Sequence, residues 1–158
     1  MKNKPKVKLR LSTVDKLLEA VSLIILLIIW GIVFFNYSNL PQTIPTHYNA
    51  SGQADAFGGK EEIWKPLIVL TILFIVLTFF NKFPQLFNYP VDITEDNAFR
   101  NYTIATRLLR HLKLIIVLIF GYLILQSIQN AELGNWTLLV VLGLIICTII
   151  FSLSKFKK

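Results

Sequence analysis

Four apolar blocks set the pattern of this chain: Leu17–Tyr37, Trp64–Phe80, Leu112–Ile128 and Trp136–Leu153. They run from 17 to 21 residues, and the only charges inside them, Glu19, Lys65 and Lys113, lie near an end. At about 1.5 Å per residue, such a block wound as a helix is ~26–32 Å long, which matches a bilayer core. The pattern predicts an all-α integral membrane protein with four transmembrane helices. Between and around them it predicts a basic N-terminus (1–16), helices 1 and 2 (17–80) with a structured loop between them (38–63), and a polar segment (81–111). Helices 3 and 4 (112–153) and a basic tail (154–158) complete the chain.

The polar stretches carry their own signals. Ser12 or Thr13 can cap the first helix, with Asp15 favourable in its first turn. Residues 1–11 read as disordered or lying on a membrane surface. In the first loop, Pro41 and Pro45 keep the chain extended, and Thr43–Tyr48 has the look of a short strand with no evident partner. Asn49-Ala50-Ser51-Gly52 has turn composition, Gly58-Gly59 makes a second break, and Lys60–Ile63 starts helix 2. After Pro84 and Pro90, Thr94 can cap one long helix from about Glu95 to Ile128, amphipathic at first and then membrane-spanning. Ala98, Tyr102, Ala105, Leu109 and Leu112 fall on one of its faces. Gln129–Asn135 is short enough to make helices 3 and 4 antiparallel neighbours.

Charge then orients the pattern. The net charge is +7, yet the chain is 54% hydrophobic and only 16% charged. Fourteen of the sixteen Lys and Arg residues fall on one side of a four-pass topology, leaving Lys60 and Lys65 on the other. This positive-inside bias places both termini in the cytoplasm and the loop 38–63 outside. The basic excess therefore speaks for anionic lipid and against nucleic acid. Arg100, Arg107 and Arg110 are positioned to reach lipid phosphates. The apolar run from Leu17 exceeds the length of a signal-peptide core, so an uncleaved first helix is expected. Cys147 is the single cysteine, which excludes an intrachain disulfide.

Candidate chemistry is sparse. No Asp, Glu, His, Lys or Arg lies at mid-depth in a predicted helix, where proton and ion pathways usually keep such groups. His47 and Asp55 are the residue types of a metal site but lack an i, i+4 histidine pair or an HExxH motif. A metal-binding or catalytic protein using His47 and Asp55 is one alternative. An accessory subunit of a larger membrane complex, or a homo-oligomer, is another. The leading expectation is a protein that is not an enzyme and uses no cofactor.

The loop sharpens this reading. LPQTIPTHYNASGQADAFGGK is similar to the signature of the domain of unknown function 1648 family. The matching positions are Leu40, Pro41, Ile44, Pro45, His47, Tyr48, Asn49, Gly52, Asp55, Gly58 or Gly59, and Lys60. Domains of this family form the N-terminal membrane part of SdpI-like toxin-immunity proteins. The resemblance implies a multi-pass protein of a bacterial inner membrane whose outer loop recognises a peptide, toxin or envelope ligand. It marks Pro41, Pro45, His47, Tyr48, Asn49, Gly52, Asp55 and Lys60 as the residues that bind the ligand or shape the loop.

Overall fold

The computed structural model describes residues 4–156. Lys2, Lys157 and Lys158, which contribute to the charge bias, lie outside the described residues. Four helices dominate: α1 (Thr13–Asn36), α2 (Trp64–Phe80), α3 (Glu95–Gln129) and α4 (Thr137–Leu153). The apolar blocks become helices because nothing in them breaks the backbone ladder and their apolar side chains need a neighbour or lipid. Ser12 starts α1 through a reciprocal box. Its Oγ accepts the Asp15 N–H at 3.2 Å, and an Asp15 carboxylate oxygen accepts the Ser12 N–H at 2.9 Å. α3 ends at Asn130, whose left-handed backbone (φ 51°) suits asparagine at a helix stop.

Three of these helical stretches are long and apolar enough to cross a membrane: Thr13–Asn39, Lys60–Phe80 and Glu95–Gln129. α4 is apolar but only 17 residues long. Packing fixes the relative directions. α1 and α3 lie side by side and run the same way, since Asp15 meets Arg107 and Ile29 packs on Gly121. α2 runs against them, with Trp30 Nε1 donating to Thr71 Oγ1 at 3.0 Å and Tyr37 against Trp64. Leu26, Ile29, Val33, Leu67, Leu70, Val117 and Ile124 form the buried centre. Leu40, Ile44 and Ile63 close one end of it.

The fold is not wholly α. Thr43–Tyr48 is a strand, β1, and its partner is β2 (Ala54–Gly59), antiparallel to it. The sequence Ala-Asp-Ala-Phe-Gly-Gly holds no β-branched residue, so propensity gave no sign of β2. The pairing follows from the turn between the strands instead. Lys60–Ile63, expected as the start of α2, forms a separate 3₁₀ turn.

The buried stripe of α3 also departs from the expected one. Ala98 and Tyr102 are on it, but it continues through Thr106, Arg110 and Lys113 to Val117. Ala105, Leu109 and Leu112 instead line a cavity of about 330 Å³ shared with α2, Phe87 and Phe156. Among the described residues before α1, Lys4 and Pro5 are tied to the rest of the protein. The Tyr102 hydroxyl donates to the Pro5 carbonyl at 2.9 Å, and Lys4 Nζ binds the Phe87 carbonyl and lies over the Tyr89 ring. Tyr89 in turn touches Tyr102 and Phe156, so Lys4 and Phe156 both meet the 81–94 segment.

Candidate functional site at the hairpin

The hairpin is built by its polar residues. Asn49 turns the chain: its Oδ1 accepts the N–H groups of Ser51 at 2.9 Å and Gln53 at 3.0 Å. Gly52 holds φ +81°, and a Cβ there would come 2.6 Å from the Leu133 carbonyl oxygen. The same glycine accepts the Leu133 N–H at 2.7 Å, so the hairpin tip is bonded to the α3–α4 turn. Tyr48 makes a second tie, donating from its hydroxyl to the Ala131 carbonyl at 3.2 Å beside Ser127. Burial pushes the Tyr48 hydroxyl above its usual titration range. Pro45 is buried with Ile44, and Pro41 is exposed. Lys60 lies over the Tyr37 ring and donates its backbone N–H to the Gln42 carbonyl at 3.2 Å.

His47 and Asp55 stand apart from this scaffold. They face each other across the ribbon, with Nδ1 and Oδ1 2.5 Å apart, and both side chains are substantially exposed (67% and 42%). Register shifts flank His47, between Pro45 and His47 and between His47 and Tyr48. Such bulges re-aim side chains locally. The pair supplies one nitrogen and one carboxylate; among the described residues no third His, Cys, Asp or Glu gathers with them.

Beneath the hairpin lies a cavity of about 410 Å³. Its roof is the hairpin stretch from Ile44 to Asn49, with Gly52. Its walls are apolar side chains of α3 and α4, among them Ile119, Leu123, Ile124, Leu138 and Val141. His47, Glu62, Lys65, Ser127 and Thr137 give it a polar margin. The volume falls in the ~300–1,000 Å³ range of small-molecule sites. The first loop, the start of α2, and the α3–α4 pair are thus one site, although they are far apart in sequence.

At the opposite end of the bundle the arginines take an unexpected course. Arg107 clamps Asp15, with Nε to Oδ1 at 2.9 Å and a terminal nitrogen to Oδ2 at 3.1 Å, a carboxylate partner within the protein besides any lipid phosphate its exposed side can reach. Arg110, expected at lipid phosphate, is buried and donates to Glu19 at 3.0 Å. Lys113, fully buried, binds the second Glu19 oxygen and donates to Thr78 Oγ1 at 2.8 Å. The physical reason is that carboxylates one helical turn apart on α1 face these cations directly, so the pairs form within the protein. Arg100 remains exposed and reaches the Lys155 carbonyl at 3.3 Å. Single-residue reasoning missed this network. The signal was present as two complementary ladders, acids at 15 and 19 and bases at 107, 110 and 113, both at helical spacing.

These features define a mainly helical protein of membrane type, with span-capable helices and a small hairpin covering a cavity at one end. Residues 24–66 match the family model of the domain of unknown function DUF1648. The matched segment runs from the middle of α1 through the hairpin into the start of α2. An uncharacterized protein of Archaeoglobus fulgidus is 35% identical over 88 residues, covering 51% of this chain and 48% of the relative. The chain thus matches about half the length of that curated relative. No solved structure matches.

Proposed function

We propose that this chain is a non-enzymatic inner-membrane protein that crosses the bilayer four times, with both termini cytoplasmic, and that its outer hairpin recognises an envelope ligand. The observation that carries the reading is the cavity of about 410 Å³ that the family segment roofs and α3 and α4 line. Most family-like loop residues hold the hairpin in place over that cavity. Tyr48, Asn49 and Gly52 do so through named bonds, while His47 is left at the cavity margin. The division of labour, rigid scaffold and exposed polar tip, is what a recognition site needs. α4 spans as a short helix beside α3, consistent with the charge bias of the sequence.

SdpI-like protection against an envelope-active peptide is the biological role that fits this reading. The test is survival of cells challenged with membrane-active peptides. Cells expressing the wild-type chain are expected to survive better than cells carrying Val141→Trp, which fills the cavity, at equal membrane levels. Equal survival of wild-type, Val141→Trp and empty-vector cells across a peptide panel would sink the proposal.

A further inference from the structure

We infer that the cavity at the cytoplasmic end is a site for one anionic phospholipid of the inner leaflet, its phosphate on Arg100 and Lys155 and an acyl chain between α2 and α4. It shares with the reading above only the bilayer placement and orientation of the helices; the hairpin cavity has no part in it. Three observations lead there.

The first is position. The cavity of about 330 Å³ lies where the C-terminal ends of α2 and α4 flank α3. Leu77 and Phe80, Ala105 and Leu109, and Leu153 and Phe156 line it. Each flanking helix passes from its last apolar residue to a lysine two positions on, Phe80 to Lys82 and Leu153 to Lys155. That change marks the boundary between hydrocarbon and headgroups. Phe80 and Leu153 line the cavity and are also exposed, so it is continuous with the lipid-facing surface.

The second is the lining. Among the described residues Asn88 is its one polar side chain, and an amide offers donors and acceptors without selecting a sign of charge. The rest is apolar, so the enclosed part of a ligand is hydrocarbon.

The third is charge at the mouth. Arg100 donates to the Lys155 carbonyl at 3.3 Å, which brings its guanidinium to the foot of α4 beside Phe156. This uses one N–H of the guanidinium fork and leaves the others. Lys155 Nζ lies on the same foot, 3.7 Å over the Phe151 ring. Among the described residues neither cation forms an ion pair. Arg107, Arg110 and Lys113, by contrast, are held by Asp15 and Glu19, and Lys4 by the Phe87 carbonyl. The acids of this end, Asp92, Glu95 and Asp96, precede or begin α3. Asp96 lies one turn before Arg100, about 6 Å further from the bilayer. Glu95 and Asp96 also answer the positive end of the α3 dipole. At the mouth the two full charges are both positive, and they outweigh the partial negative charge of the α4 C-terminus. A phosphodiester accepts from the guanidinium fork and is drawn by the ammonium, whereas an amine head would meet two unpaired cations.

The experiment titrates lipid into the detergent-solubilised full chain and counts bound molecules by native mass spectrometry. The probes are phosphatidylglycerol and phosphatidylcholine with the same oleoyl chains. One phosphatidylglycerol is expected to bind about tenfold tighter than phosphatidylcholine, the scale of one charge-assisted hydrogen bond. Arg100→Gln is expected to remove that preference. Lys6→Gln, at an exposed cation outside the cavity lining, is expected to keep it. Ala105→Phe, which fills the cavity, is expected to lower binding of both lipids, and glycerol phosphate, the headgroup without a chain, is expected not to compete. Equal binding of the two lipids to the wild-type chain overturns the proposal. A loss of preference in Lys6→Gln as large as in Arg100→Gln overturns it in favour of diffuse surface charge. Displacement by glycerol phosphate overturns it in favour of headgroup capture with no enclosed chain. The wild-type comparison and the soluble competitor need no variant, so they decide the matter even if Ala105→Phe folds poorly. Failure here leaves the hairpin reading standing, because that reading is tested by cell survival and Val141→Trp at the other end of the bundle.

Discussion

Arg107 Nε sits 2.9 Å from Asp15 Oδ1, across 92 residues of chain. The same offset brings Ile29 against Gly121, and nearly the same offset brings Glu19 to Arg110 and Lys113. α1 and α3 are therefore locked in a fixed parallel register by charge at one end and by close apolar packing further along. Taking a lysine out of water costs several kcal/mol. For Lys113 the Glu19 carboxylate, Thr78 Oγ1 at 2.8 Å and the Phe74 ring at 4.5 Å offset that cost. Because Thr78 belongs to α2, one ammonium ties three helices.

This network predicts unequal effects for its two central residues. Glu19→Ala leaves Lys113 and Arg110 without their shared carboxylate and is expected to cost about 3–5 kcal/mol. Lys113→Met leaves Glu19 paired with Arg110 and fills the space with an apolar chain, so it is expected to cost less. Thermal unfolding of both variants in one detergent checks the order. Equal or reversed losses would contradict the pairing.

The hairpin tip makes a second case. Gly52→Ala puts a Cβ 2.6 Å from the Leu133 carbonyl oxygen at φ +81°, a conformation that alanine resists. A strained position of this type costs ~1–3 kcal/mol. The expected result is faster hydrogen exchange in both 43–59 and the α3–α4 turn, with the helix centres unchanged. Exchange that rises in the hairpin alone would mean that the two loops are not coupled.

Tyr48 sets a limit at alkaline pH. Burial raises its folded-state titration above the ordinary tyrosine range, so the unfolded chain loses this proton first as pH rises. Its contribution is fully present below about pH 10 and falls away as pH climbs through the folded value. Wild-type stability is expected to fall more steeply above pH 10 than that of Tyr48→Phe. The phenylalanine variant is expected to be weaker by about 1 kcal/mol near neutrality, for the lost bond to Ala131. Parallel pH curves for the two proteins would refute the assignment.

Topology is directly measurable. In a Cys147→Ala background, Ser51→Cys is expected to react with a membrane-impermeant maleimide on intact cells, and Ser154→Cys only after permeabilisation. Labelling of both without permeabilisation would show that α4 does not return the chain to the cytoplasmic side.

Much of the fold was legible in the chain because lipid leaves a coarse mark. An uninterrupted apolar block defines α2 at Trp64–Phe80 residue by residue, and the Thr94 capping box with the apolar run that follows defines α3 at Glu95–Gln129 almost as closely. The loop's Pro, Asn and Gly residues likewise announced a shaped turn, since their backbone preferences are local. What only tertiary structure decided were the relations between distant groups. β2 has no strand-like composition and exists because Asn49 and Gly52 fold it back on β1. Arg107 and Arg110 look like lipid contacts alone until α1 places two carboxylates beside them. The cavity belongs to no segment at all; it arises where the hairpin spans α2, α3 and α4. Local sequence dictates which backbone forms, whereas the pairing of charges and the enclosure of space depend on which surfaces the packed helices bring together.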